Sequence, residues 1–182
     1  MGAPGKIRII AGKWRGRKLD VINSPGLRPT PDRVRETLFN WLQHEIVGAR
    51  CLDLFAGTGA LGFEALSRGA VEVYMIESNP KIVESLKQHA VTLGSEGHTI
   101  QLADATSWLR QDIKGFDIIF LDPPFEEGYI EQCCEAISEE SLLNPKGLVY
   151  IESEKKLALP SGWEIRKQTK TGNVQSMLIE PI

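Results

Sequence analysis

The chain has 182 residues, 42% of them hydrophobic and 25% charged, which suits one globular domain with a real core and leaves too little for two. No apolar run nears the roughly 20 residues of a membrane helix, and the opening MGAPGKIRII lacks a signal-peptide layout, so a cytoplasmic place is expected. The net charge of −3 is uneven: residues 1–35 hold nine Lys/Arg and two acids, +7, and the other 147 residues therefore carry −10. A basic arm on an acidic body is a footprint for a polyanion, and the acidic body argues against nonspecific coating of nucleic acid.

In chain order, KIRIIAG and GRKLDVI flank KWRG and predict a β-hairpin with basic side chains at its turn. The link SPGLRPTP follows. Thr30 is placed to cap a helix starting at Pro31, because proline lacks the N–H that would go unpaired there. Val34, Leu38, Trp41 and Leu42 form one apolar face, and the helix is expected to end between His44 and Val47. From Arg50 strands and helices alternate. CLDLFA, VEVYMIE, TIQLAD, FDIIFLD and GLVYIE are strands. Between them lie helices at 60–68 (with Gly69 as C-cap), from Asn79-Pro80 to Gly94, at ATSWLRQDI, and at 129–138. Continuous apolar strands alternating with helices mean a parallel sheet covered on both faces. WEIRKQTK and NVQSMLIE are joined only by TG, so these two must be antiparallel. Residues 1–48 read as a basic hairpin-and-helix extension, and 49–182 as the main domain.

Between the first of these strands and its helix stands DLFAGTGALG, Asp53 to Gly62. Gly57, Gly59 and Gly62 spell G-x-G-x-x-G, and Glu77 stands 20 residues after Gly57, which satisfies a dinucleotide fingerprint. Three features oppose that reading. No second nucleotide-binding half follows the fifth strand. Asp53 lies inside its strand, where it suits an ammonium or its bound water rather than a pyrophosphate. Asp104-Ala105 ends the third strand, where the acid and a backbone N–H match an adenine edge. Together they suit a nucleoside carrying an amino acid and no phosphate, S-adenosylmethionine. The bland alternatives are glycines for tight packing and ordinary strand-end acids.

Ligands of open α/β sheets bind beyond the carboxyl ends of the strands at the switch point. Asp53–Gly59 and Asp122–Phe125, from LDPPF, should therefore face each other across one cleft. Methyl transfer is an in-line displacement, and the exocyclic amine of a base is a poor nucleophile because its lone pair is delocalised. Two acceptors on its N–H bonds favour the tetrahedral nitrogen that attacks. The Asp122 carboxylate and the Pro123 carbonyl are those acceptors, since a Pro-Pro backbone is stiff and offers no competing N–H. Phe125 is the plate for stacking, worth about 1–3 kcal/mol in nucleic-acid complexes. Positioning supplies most of the acceleration, roughly 7–11 kcal/mol in an ordered site. The bland alternative is a strand-end turn with a loose ring.

RIIAGKWRGRKL, LRPTPDRVRETLFNWL, LDLFAGTGALGFEALSRGA and LDPPF resemble, in order and spacing, the RsmD family of class I S-adenosylmethionine-dependent methyltransferases. The likeness covers nearly the whole chain. The second stretch is the most specific, though it has no general chemical meaning. The resemblance implies a Rossmann-like sheet of seven strands with the last antiparallel. It also implies a guanine N2 of 16S ribosomal RNA as target, in a partly assembled small subunit, and a monomer. It assigns Asp53, Phe55, Gly57, Gly59, Glu77, Asp104 and Ala105 to the cofactor, and Asp122, Pro123 and Phe125 to the guanine. Thr58 stands where serine is commoner, and His89-Ala90 where an asparagine would be expected.

The arm then supplies RNA contacts: Lys13, Arg15, Arg17, Lys18, Arg28 and Arg33, with a structural role open for Arg33 and Arg35. Other readings remain at this point: an amino methyltransferase acting on DNA adenine N6 or protein glutamine, a nicotinamide dehydrogenase, or a noncatalytic RNA-binding module. Pyrimidine C5 methylation needs a cleft cysteine, and Cys51, Cys133 and Cys134 lie on a strand and a helix. They are also too few for a disulfide framework. His44, His89 and His98 show no metal-ligand spacing, so no metal is expected.

Overall fold

The computed structural model describes residues 5–24, 27, 30–124, 128–153 and 159–182. The N-terminal hairpin is shorter than expected. β1 (Lys6–Arg8) and β2 (Lys18–Asp20) pair antiparallel around a single 3-10 turn at Gly12–Trp14. That turn is not simply basic, because Trp14 is buried. Helix α1 (Asp32–Trp41) turns Val34, Leu38 and Phe39 inward and stops before His44. Pro31 stands at its N-cap, and no side chain caps the helix. The expected Thr30 cap is therefore absent. The Pro31 carbonyl accepts from the amides of Val34 and Arg35, and the Thr30 hydroxyl is used elsewhere.

Seven strands form the main sheet: β3 (Arg50–Asp53), β4 (Glu72–Glu77), β5 (His98–Leu102), β6 (Phe116–Leu121), β7 (Leu143–Ser153), β8 (Trp163–Thr171) and β9 (Val174–Pro181). Their order is β5-β4-β3-β6-β7-β9-β8. The first five are parallel, and β9 inserts antiparallel to both β7 and β8, as the short TG connection requires. The order reverses between β3 and β6, so the switch point lies where the expected cleft does.

Alternation along the strands divides the core. Leu52, Ile119, Leu121, Val149, Ile151, Met177 and Ile179 meet α4 (Ala105–Trp108) and α5 (Tyr129–Glu139). Cys51, Ile118, Phe120, Leu148, Tyr150 and Leu178 face α2 (Ala60–Ser67), α3 (Pro80–Leu93) and the N-terminal segment. Ile7, Ile9, Trp14, Leu19, Leu38 and Phe39 belong to this second cluster, so the extension completes the main core.

The extension is also bonded to α2, all of whose residues are buried. The fully buried Glu64 carboxylate accepts from the amides of Ile10 (2.8 Å) and Ala11 (3.0 Å) and from Arg68 Nε (2.7 Å). Arg35 Nη1 lies 3.5 Å from it. Ser67 Oγ accepts from the Trp14 amide and donates to the Ala11 carbonyl. Gly12 fits this contact because a Cβ there would lie 1.7 Å from the Ser67 carbonyl oxygen.

Candidate active site

The strand ends at the carboxyl edge of the sheet carry a row of acids: Asp53 on β3, Glu77 on β4, Asp104 after β5, Asp122 after β6 and Glu152 on β7. The ends of β3 and β6, from which the two expected loops leave, lie side by side. Leu54 N donates to the Phe120 carbonyl, and the Phe55 ring meets Tyr129 edge-on at 5.8 Å between centroids.

On the glycine-loop side, Gly57 and Gly59 adopt φ of +49° and +77°, the left-handed region that disfavours a side chain. A Cβ on Gly59 would lie 2.7 Å from Phe63 and Leu86, so this glycine also answers to packing. Leu27, from the proline-rich link, lies 3.3 Å from where a Gly57 Cβ would be, so its side chain packs against the loop. Glu77 Oε2 accepts from Gly57 N (3.1 Å) and Oε1 from Asn79 N (2.8 Å). A carboxylate has about four acceptor positions, so Glu77 is oriented and keeps capacity for a vicinal diol. Asp104 Oδ1 accepts from Thr106 Oγ1 (2.7 Å) and Ser107 N (2.9 Å), and these bonds, the hydroxyl first, hold the exposed carboxyl below its usual range. The exposed carboxylate stands beside the buried Ala105, where it faces solvent and an amino group could approach. These donor sets fit an adenosine bound across the ends of β4 and β5.

Asp53 ends β3 inside the sheet, as its place in the strand pattern implies. Only 2% exposed, it accepts from Gly62 N at 3.0 Å beneath the first turn of α2. Burial pushes it up to about 7 against that hydrogen bond, with the charges of Asp122 and Glu77 adding. Its visible task is to hold the glycine loop.

On the target side, burial pushes Asp122 up to about 6. Thr30 Oγ1 donates to its Oδ2 at 3.3 Å and opposes that shift. Pro123 is buried. Phe125 and Arg28 lie outside the described residues. Beside Asp122 stands an acid the motif search passed over. Asp122 and Glu152 each follow the last paired residues of β6 and β7, Leu121 and Ile151, and so lie side by side. Glu152 accepts from the Tyr150 hydroxyl at 2.8 Å. Burial first, then the Asp122 charge, push it up to about 8. The available signal was its position as a strand-end acid in GLVYIE.

Of the arm residues, Lys13, Arg15, Lys18 and Arg33 are exposed, while Arg17 Nη2 is bonded to the Thr92 carbonyl of α3 at 2.8 Å. Arg35 is 1% exposed and structural, with its Nη2 donating to Asp32 Oδ1 (2.6 Å) and to the Arg8 carbonyl (2.9 Å). All three cysteines are buried and unpaired, and burial pushes the thiols of Cys133 and Cys134 up to about 12, far from a thiolate nucleophile. Among the described residues no group of three His, Cys, Asp or Glu is arranged to hold a metal, and no helix is long and apolar enough to cross a membrane.

A Rossmann-like seven-stranded sheet with its glycine loop and Asp-Pro-Pro turn at one switch point defines a class I methyltransferase. The particular family follows from comparison with known proteins. The family described as Conserved hypothetical protein 95 matches residues 7–180. Ribosomal RNA small subunit methyltransferase D of Haemophilus influenzae is 45% identical over 184 residues, covering 98% of this chain and 95% of that one. Its namesake from Escherichia coli K12 is 44% identical over 179 residues, covering 97% and 90%. The solved structure of the Escherichia coli protein yhhF has a TM-score of 0.90 at 40% identity, covering 97% of this chain and 98% of that one. The chain belongs to this family, that of the ribosomal RNA small subunit methyltransferases D.

Proposed function

We propose that the chain methylates the exocyclic N2 amine of one guanine in 16S ribosomal RNA, within the small subunit or its assembly intermediate, using S-adenosylmethionine. Family membership carries ribosomal RNA methylation; the cofactor and the guanine amine are supported by the site. The observation that bears most weight is Asp122. It is an acid at the end of β6, beside the glycine loop of β3, followed by a buried proline carbonyl on a stiff backbone.

S-adenosylmethionine supplies a methyl group made electrophilic by its sulfonium. The chain's part is to bind and orient. Glu77 and Asp104 accept from the ribose and the adenine amine, and Asp53 and Gly62 hold the loop between them. Asp122 and the Pro123 carbonyl take the two amine protons as hydrogen bonds, turning the nitrogen lone pair toward the methyl carbon. Asp122 need not be a strong base, because the alkylated nitrogen loses its proton readily. Phe125 stacks on the base. Lys13, Arg15, Arg17, Lys18, Arg28 and Arg33 hold RNA phosphates, making residues 1–48 the gripping extension of the 49–182 methyltransferase unit. Arm and cleft lie on one chain, so a cytoplasmic monomer suffices. Methylation of DNA adenine N6 or protein glutamine is not favoured by the family.

The test offers tritiated S-adenosylmethionine with small-subunit particles, naked 16S RNA, DNA and total protein from cells lacking the enzyme. Products are digested to nucleosides or amino acids. Label in N2-methylguanosine from particles is expected. Label confined to DNA or protein would overturn the substrate.

A further inference from the structure

The stretch LRPTPDRVRETLFNWL carries no chemistry by composition, yet its one hydroxyl in the link reaches the proposed catalytic acid. Thr30 and Asp122 are 92 residues apart in sequence, and Thr30 is buried with its Oγ1 3.3 Å from Asp122 Oδ2. A helix-capping threonine would turn its oxygen to the first amides of α1, and here no side chain does. Thr30 is itself held: Arg35 Nε donates to its carbonyl at 3.2 Å, and the same guanidinium is bonded to Asp32 and to the Arg8 carbonyl. We propose that Thr30 is a positioning residue for methyl transfer: its hydroxyl occupies Oδ2 of Asp122, which keeps the carboxylate ionised and leaves Oδ1 for the amine, while Arg35 keeps Thr30 in place. This rests on the reading of Asp122 as the amine acceptor.

The geometry explains why a hydroxyl is needed. Among the described residues, the titratable groups facing Asp122 are Glu152 and Tyr150 from β7 and Asp53 from β3, none of which brings positive charge. Burial favours the protonated form, which has only one good acceptor oxygen left for an amine. A donated hydrogen bond to the carboxylate opposes this. The N-terminal segment thus completes the catalytic edge of the sheet: Glu64 of α2 holds the hairpin, Arg35 bridges Glu64 to the link, and the link delivers Thr30.

The variant is Thr30→Val, which keeps the shape and removes the donor. With small-subunit particles and tritiated S-adenosylmethionine, kcat at pH 6 is expected to fall roughly fivefold, with the acid limb of the profile moving up by about one pH unit. KM for particles and the Kd for S-adenosylmethionine should stay put, and Thr30→Ser should restore the limb. Independently of turnover, carboxyl-13C titration of Asp122 in the free protein, assigned with Asp122→Asn, should show protonation at higher pH in Thr30→Val. An unmoved limb and an unmoved titration overturn the proposal, as does a melting-temperature loss in Thr30→Val with kcat unchanged, the signature of a plain cap. If Thr30→Val does not fold, Thr30→Cys, a weaker donor, carries the same comparison. If Asp122→Ala still methylates, the reading of Asp122 fails first. If Asp122→Ala is inactive and Thr30→Val behaves as wild type, only the role of Thr30 falls.

Discussion

On the glycine-loop side of the cleft, Glu77 accepts two backbone amides and Asp104 an amide and a hydroxyl, and Asp104 is held below its usual range. On the β6–β7 side, the half-buried Asp122 and the buried Glu152 stand next to each other, each receiving one neutral hydroxyl, and both are pushed up, to about 6 and about 8. One side offers acceptors fixed by hydrogen bonds, which suits the hydroxyls and amine of a nucleoside. The other holds acids that titrate near neutrality, so the pH sensitivity of the reaction should lie there.

The largest expected effect is at the centre of the second side. Asp122→Ala should lower kcat by a few hundredfold or more, in the range seen on removing a key polar group from a reacting centre. Binding of S-adenosylmethionine, followed by calorimetry, should stay nearly intact. Loss of both together would erase the division between the two sides.

Next comes the opposite edge. Glu77→Ala removes an acceptor and also frees the amides of Gly57 and Asn79. It should weaken cofactor binding by about 1.5–3 kcal/mol, roughly tenfold or more, without moving the acid limb of the kcat profile. A displaced limb would mean that the two sides titrate together.

Neutralising Lys13, Arg15 and Lys18 tests the arm without disturbing Arg17, which ties the hairpin to α3. RNA binding should weaken about tenfold at moderate salt, with a flatter plot of log affinity against log salt. An unchanged slope would move the RNA face elsewhere.

The smallest effect concerns Glu152. Glu152, at about 8, still holds its proton where Asp122, at about 6, titrates, so Glu152→Gln removes no charge there and the acid limb should stay in place; a limb displaced to lower pH would mean that Glu152 ionises first. Stability has the opposite sign from activity. Asp53, Asp122 and Glu152 all have folded values above their ordinary 3.8, 3.8 and 4.5, so the folded state binds protons more tightly. Their contribution is fully present below the ordinary carboxylate range and is lost as pH rises through about 6 to about 8. Melting temperature should therefore fall from pH 6 to pH 9 while activity rises, and Glu152→Gln should flatten that fall. A melting temperature that climbs over this window would contradict the burial of these acids.

Much of this was legible along the chain because the signals are local. Apolar strands spaced by helix-length segments require a parallel sheet, and the two-residue TG connection leaves β8 and β9 only an antiparallel pairing. Gly57 with Glu77, and Asp122 with Pro123, could be placed at one edge because strand ends and switch points follow from element order. What the tertiary structure alone decided was how each polar group is used. Thr30 has the sequence context of a helix cap, yet its hydroxyl goes to an acid 92 residues away, and Leu27 just before it packs against the glycine loop. Asp53 has the strand-end position of a cofactor ligand, and the close packing of α2 on β3 also ties it to Gly62, a bond no local pattern announces. Arg35, indistinguishable by composition from its neighbour Arg33, is buried because Asp32, Arg8, Thr30 and Glu64 converge on it. Periodicity reports which face of an element is apolar. The partner of a buried donor or acceptor is set by long-range packing, since such a group must be satisfied by whatever the fold brings within about 3 Å.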